Sequence, residues 1–185
     1  NFLKLQRGIE IHHDGDLPAR SGMGSSSSFT VGLLNALHAL QGHMATKEQL
    51  ANESIMIEQD ILKENVGSQD QVNAAYGGFN HISFHTSGEI SVRPVIIPPN
   101  RQDELTSHLM LFYTGIKRTA DKVAGQYVES LESKRRQLRI LRDMVEESLS
   151  ILCGSGPIRE FGELLHEGWL TKQAISDKIS NCAIT

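Results

Sequence analysis

The stretch SGMGSSSSFTVGLL, Ser21 to Leu34, runs two glycines and four consecutive serines straight into an apolar series with helical spacing. From Ser26 or Ser27 onward Phe29, Leu33, Leu34, Leu37 and Leu40 recur at intervals of three and four, which predicts a helix with one apolar face ending near Gln41-Gly42. A flexible glycine-serine linker would continue into further polar sequence. Here no spacer separates the serines from the helix, so the junction fixes a tight turn on a helix start.

Such a start has chemical consequences. The first turn of a helix carries unpaired N–H groups and the positive end of the helix dipole, and glycines just before it let an anion approach the backbone closely. Serine hydroxyls there can cap the helix, bond phosphate oxygens or ligate Mg2+. The better-known glycine motifs do not fit. No lysine follows Gly22 or Gly24 before the helix, as a Walker A loop requires, and Ser27 stands where GxGxxG needs its third glycine. The nucleophile elbow GxSxG is also absent. The residues alone leave two readings open, a serine-capped helix after a glycine turn and a phosphate-binding turn.

Thr46 with Gln49 three positions on reads as a capping box, which predicts a second helix through about Leu62. On a wheel of about 100° per residue, Leu50, Ala51, Ile55, Ile57, Ile61 and Leu62 fall within one arc of roughly 160°, with Glu58 near its centre. Glu48, Glu53, Asp60 and Glu64 lie at or beyond the edge of that arc, where solvated carboxylates belong. A glutamate on a buried stripe is unfavourable unless it is paired, protonated or bound to a metal, so Glu58 is a candidate site residue; a bond to a buried lysine or arginine is the alternative. Asp70 opens a short predicted helix, Asp70 to Tyr76, where an aspartate alone reads as an N-cap. Its company raises it. A phosphate-holding loop, a carboxylate able to share Mg2+ with a serine hydroxyl, and a carboxylate able to position a hydroxyl nucleophile are the parts phosphoryl transfer requires.

Elsewhere the pattern is structural. GIEIHHD, Gly8 to Asp14, alternates as a strand would, and two alternating runs around Thr86-Ser87-Gly88 predict a β-hairpin. Prolines and charges cluster in PPNRQDEL, Pro98 to Leu105, ahead of HLMLFYTG, a short apolar run that predicts a buried strand and the start of a second unit. From Thr119 to Thr185 the pattern is helical, with a break at Gly154 to Pro157. His12 and His13 are adjacent and would point to opposite faces of a strand, so they read as surface residues and not as a metal pair. The basic run Ser133 to Arg142 reads as a solvated helix face, and Trp169 as a packing residue.

Charge and cysteine content narrow the function classes. A net charge of −4 with interspersed signs supplies no positive field for nucleic acid or anionic membrane. Cys153 and Cys182 have neither CxxC nor zinc-type spacing, so a disulfide framework and a structural metal are not indicated, and a reducing, cytoplasmic compartment fits. No apolar run approaches the roughly 18 to 20 residues that span a bilayer, and no signal-peptide pattern opens the chain. The start at Asn1, without methionine, predicts a slice of a longer protein.

LPARSGMGSSSSF resembles the second signature motif of the GHMP kinases, with Met23 for the usual leucine and Ser27 for the usual alanine. GSQDQVNAAYGGFNHISF resembles the catalytic-aspartate segment of the sugar-kinase branch and, with LFYTGIKRTA, is most similar to bacterial D-glycero-D-manno-heptose phosphate kinases. The resemblance implies an α+β architecture in two parts, residues 1–104 from the ATP-binding N-terminal domain and 105–185 from a ferredoxin-like C-terminal domain, truncated at both ends because the family's first and third motifs have no counterpart here. It further implies that Ser21, Gly22, Met23, Gly24, Ser25, Ser26 and Ser27 cradle the phosphates of ATP, that Ser26 and Glu58 ligate Mg2+, and that Asp70 is the catalytic aspartate. Tyr113 and Arg118 would face the sugar. The implied reaction is transfer of the γ-phosphate to the anomeric hydroxyl of a heptose phosphate, giving a precursor of nucleotide-activated heptose for surface polysaccharide. A galactokinase- or fucokinase-like relative for another sugar and an inactive nucleotide-binding fragment are the alternatives. The partners implied are a small sugar phosphate and ATP, with a homodimer as one option for assembly.

Overall fold

The structure, a computed structural model, describes residues 2–16, 22–115 and 134–175. They combine helices with a two-stranded sheet, an α+β composition, and fall into two compact units, residues 2–16 and 22–78 with 114–115, and residues 79–113 with 134–175. Among the described residues no helix is long and apolar enough to cross a membrane.

The first unit is built on three helices. Helix α1, Ser25–Leu40, starts at Gly24 and stops before Gly42, whose φ of +73° is open to glycine without penalty. Its buried face is Ser27, Val31, Leu34 and His38. The apolar spacing therefore located the helix but not its inner stripe: Phe29 and Leu40, expected on the apolar face, are exposed. Helix α2, Lys47–Ile55, opens with the N-cap half of the predicted capping box, Thr46 Oγ1 accepting from the Gln49 backbone amide at 3.1 Å, while the Gln49 side chain donates to Glu53. It then widens into a π-helical turn, Met56–Ile61, closed by the Leu62 amide donating to the Ile57 carbonyl at 2.9 Å. Helix α3, Gln69–Tyr76, follows.

Val31, Leu34 and Leu50 form the centre of this unit, with Leu3, Ala45, Ile57, Ala74 and Ala75 packed around them. At its margin His38 Nε2 meets Glu53 Oε2 at 2.7 Å, and Gln49 donates to the other Glu53 oxygen at 2.8 Å, so α1 and α2 are joined by polar as well as apolar contacts. Two expectations fail here. Ile61 and Leu62, placed on the buried stripe by a uniform 100° step, are exposed, because the wider π turn rotates the residues after Glu58 off that face. Gly8 to Asp14 is exposed and forms no ladder, since a strand needs a partner for its backbone groups and no described segment supplies one.

The second unit contains the predicted hairpin. Strands β1, Asn80–Phe84, and β2, Ile90–Pro94, pair antiparallel with His81 opposite Arg93 and Ser83 opposite Ser91. Helix α4, Pro99–Ser107, follows, and helices α5, Arg135–Cys153, and α6, Arg159–Gln173, meet at the expected break, with Leu152 and Ile158 buried on either side of it. The run from Leu109 to Tyr113 is neither paired nor buried: Leu111 is 84% and Phe112 75% exposed. An apolar run becomes a buried strand only where neighbours supply a ladder and a packing face, and no described element does so here.

Arg101 is buried on α4. Its Nη1 donates to Glu104 Oε2 at 2.7 Å and its Nη2 to the Ile151 carbonyl at 2.8 Å, which satisfies one of the last carbonyls of α5. Arg101→Met keeps the packing and removes both donors, so it is expected to lower stability by about 1–3 kcal/mol in denaturant unfolding.

Candidate functional site

Gly24 is the pivot of the glycine-serine turn. It occupies the N-cap of α1 with φ 69° and ψ 20°, a left-handed conformation that glycine adopts without strain, and Gly22 has a φ of +75°. The helix has no side-chain cap. The serines are thus not spent on the first-turn amides, which keep the donor set and dipole that favour an anion. Ser25 and Gly24 are half-buried, while Gly22, Met23 and Ser26 are exposed. Ser21 lies outside the described residues.

The hydroxyls instead reach across to α2. Ser26 Oγ donates to Glu58 Oε1 at 3.3 Å, and Ser27 Oγ lies 3.3 Å from Oε1 and 3.4 Å from Oε2. Glu58 sits in the π-helical turn and is 3% exposed. The sequence placed this carboxylate on a buried stripe, and the structure finds it there, on the same face as Leu50, Ala51 and Ser54. Among the described residues its hydrogen-bond partners are hydroxyls and an amide, not the lysine or arginine of the alternative reading. Gln71 Nε2 makes a close hydrogen bond to Glu58 Oε2. Burying a carboxylate with neutral donors only is unfavourable relative to pairing it with a cation.

Asp70 precedes Gln71 in the first turn of α3 and is exposed. A Cβ placed on Gly24 would stand 3.7 Å from Asp70 Oδ2, so the turn and the aspartate carboxylate are close neighbours. The approach to α3 is braced from beside Glu58: Gln59 Nε2 donates to the Val66 carbonyl at 2.9 Å and to Ser68 Oγ at 3.1 Å. Ser26, Ser27, Glu58, Asp70 and Gly24, separated in sequence by up to 46 positions, are brought to one place by three helices. Tyr113 is exposed and belongs to the second unit, and Arg118 lies outside the described residues.

The donor set suits a hard cation. Mg2+ is typically held by one or two carboxylates, with waters and substrate phosphates completing an octahedron. Glu58 and the Ser26 hydroxyl supply two adjacent oxygens. No group of three or more His, Cys, Asp or Glu able to hold a metal occurs among the described residues, so an ion here would depend on phosphate oxygens for much of its coordination. Sequence reasoning missed Gln71. The residue stood in the quoted segment beside Asp70, but an amide carries no periodicity or charge signal, and only the fold shows it turned onto Glu58.

Residues 1–78 match the family model described as the GHMP kinases N terminal domain, a segment that ends where the first unit's main stretch ends. Over 183 residues the chain is 25% identical to a D-glycero-alpha-D-manno-heptose 7-phosphate kinase of Campylobacter jejuni, covering 98% of this chain and 54% of that protein. An L-fucokinase/L-fucose-1-P guanylyltransferase of Bacteroides fragilis is 27% identical over 179 residues, 91% of this chain and 18% of that protein. Among solved structures, a D-glycero-D-manno-heptose 1-phosphate kinase from Bacteroides thetaiotaomicron superposes with a TM-score of 0.63 at 28% identity, covering 85% of this chain and 46% of that one. The chain spans about half the length of both heptose phosphate kinases.

Proposed function

We propose that this chain, whose residues 1–78 match the family model of the GHMP kinases N terminal domain, supplies the phosphate-binding and catalytic portion of an ATP-dependent sugar kinase acting on the anomeric hydroxyl of a heptose phosphate, D-glycero-D-manno-heptose 7-phosphate being the favoured acceptor. The observation that carries this reading is the convergence of Glu58, bonded to Ser26, and of Asp70, close to Gly24, on the glycine-serine turn. In this reading residues 1–104 belong to the ATP-binding domain and 105–185 to the C-terminal domain of the family, although the hairpin and α4 pack in the same compact unit as α5 and α6.

The roles follow from the chemistry. The turn from Ser21 to Ser27 presents backbone donors to the β- and γ-phosphates of ATP. Ser26 and Glu58 would hold Mg2+, which when bound would neutralise charge on the phosphates. Asp70 accepts a hydrogen bond from the sugar hydroxyl, aims its oxygen at the γ-phosphorus, and takes the proton as the new O–P bond forms and the bond to ADP breaks. Tyr113 and Arg118 are the proposed sugar contacts. The cytoplasm, where ATP and Mg2+ are abundant, is the proposed compartment.

Calorimetric titration with a non-hydrolysable ATP analogue, with and without Mg2+, tests the site. Binding is expected to be strengthened by Mg2+, and that gain is expected to fall tenfold or more in Ser26→Ala and Glu58→Ala. Mg2+-dependent binding untouched by both substitutions would show that the serine turn is only a helix start. The fucokinase match favours a second acceptor class, a free sugar. Turnover on heptose 7-phosphate against fucose and galactose separates the two.

A further inference from the structure

Gln71 is 1% exposed, deeper than Glu58, and uses only half of its amide: Nε2 donates to Glu58 Oε2, while Oε1 is buried without a partner. A side chain kept for packing would not be built this way, since methionine fills nearly the same volume and leaves no orphaned carbonyl. What the amide adds is a donor from α3. With Ser26 and Ser27 reaching Oε1 from α1 and Gln71 holding Oε2, the carboxylate is gripped from two helices and its plane is set. Ser26 and Ser27 both donate to Oε1, so a cation there would take the place of the Ser26 hydrogen bond, with the Ser26 oxygen turned to the ion, while Gln71 keeps hold of Oε2. Gln71 also adjoins Asp70, which places the brace for Glu58 and the aspartate in the same helical turn.

We propose that Gln71 is a positioning residue that aims the Glu58 carboxylate for a divalent ion and couples occupancy of that ion site to the placement of Asp70. The inference rests on the reading of Glu58 as an Mg2+ ligand. Removing a hydrogen bond that orients a metal ligand typically weakens metal binding or activity by about 10- to 100-fold.

The test compares the full chain, Gln71→Met and Glu58→Ala by unfolding and by calorimetric titration of a non-hydrolysable ATP analogue over a series of Mg2+ concentrations. Gln71→Met is expected to remain folded, with its midpoint lowered by no more than the loss of one donor to the buried Glu58 carboxylate, and to bind the analogue equally well without Mg2+. It is expected to need about 10- to 100-fold more Mg2+ for half of the Mg2+-dependent gain. In the unsubstituted chain the side-chain amide resonance of Gln71 should move on Mg2+ addition with the same midpoint as the binding gain, and should not move in Glu58→Ala. An unchanged Mg2+ requirement in Gln71→Met, an equal loss of Mg2+-free binding, or an amide resonance blind to Mg2+ would each overturn the role of Gln71. If Glu58→Ala also retains the Mg2+ dependence of the unsubstituted chain, the ion site itself is misplaced and both readings fall. If Glu58→Ala abolishes that dependence and Gln71→Met does not, only the positioning role falls.

Discussion

Asp70→Ala is expected to lower turnover by about 10²- to 10⁴-fold while the affinity for the ATP analogue with Mg2+ stays within a few-fold of the unsubstituted chain. The separation follows from where Asp70 stands. Its side chain is exposed, and truncating an exposed residue changes stability by roughly half a kcal/mol or less. In the first turn of α3 the carboxylate also gains about 0.3–1 kcal/mol from the helix dipole, and that small term is all the fold should lose. The proposed ion ligands are other residues, Ser26 and Glu58, and neither has Asp70 as a partner in the hydrogen bonds that join them. Steady-state kinetics beside calorimetry on the same samples makes the comparison. Turnover that survives the substitution would mean that Asp70 is an ordinary helix-start residue and that another group orients the hydroxyl. Loss of turnover together with loss of nucleotide would assign Asp70 to the phosphate cradle.

The site was legible where its residues broke a pattern. Four serines against an apolar series, and a glutamate at the centre of a buried arc, are local contradictions that periodicity exposes, and the structure brings the two into hydrogen-bond contact. The capping box at Thr46 and the hairpin around Gly88 were legible because hydrogen bonds over two or three residues decide them. The failures share another cause. Gly8 to Asp14 alternates and Leu109 to Tyr113 is apolar, but a strand is a property of two segments, and neither run records whether a partner is beside it. The π-helical turn was invisible because a uniform helical step is assumed in any wheel. Glu58 escaped that error by lying near the start of the turn, whereas Ile61 and Leu62, three and four residues later, come after most of the widening and did not. Gln71 was invisible for a plainer reason: its importance is a contact with a residue 13 positions away, and nothing in its own neighbourhood announces it.

Gly24→Val compared with Gly22→Val separates the conformational role of the turn from its closeness to Asp70. Both glycines have left-handed backbones, with φ of +69° and +75°, so valine at either position brings a strain of about 1–2 kcal/mol or somewhat more for a branched side chain. Their surroundings differ. No described atom lies within 4 Å of a Cβ at Gly22, but at Gly24 the Cβ would stand in van der Waals contact with Asp70 Oδ2 at 3.7 Å, and the two further methyl carbons of valine would crowd that carboxylate. Similar losses of stability are therefore expected in both variants by denaturant unfolding. Gly22→Val should act chiefly on the KM for ATP, through the shape of the phosphate turn. Gly24→Val should in addition lower kcat by about 100-fold at saturating ATP, the scale of effect that follows when a catalytic group is moved by about an ångström. Equal kcat values in the two variants would mean that the approach of Asp70 to the turn is a packing contact without a part in the chemistry. A selective kcat loss at Gly24 would tie the glycine of the helix cap to the placement of the proton acceptor, and would explain why the turn carries a residue with no side chain at the position where α1 begins.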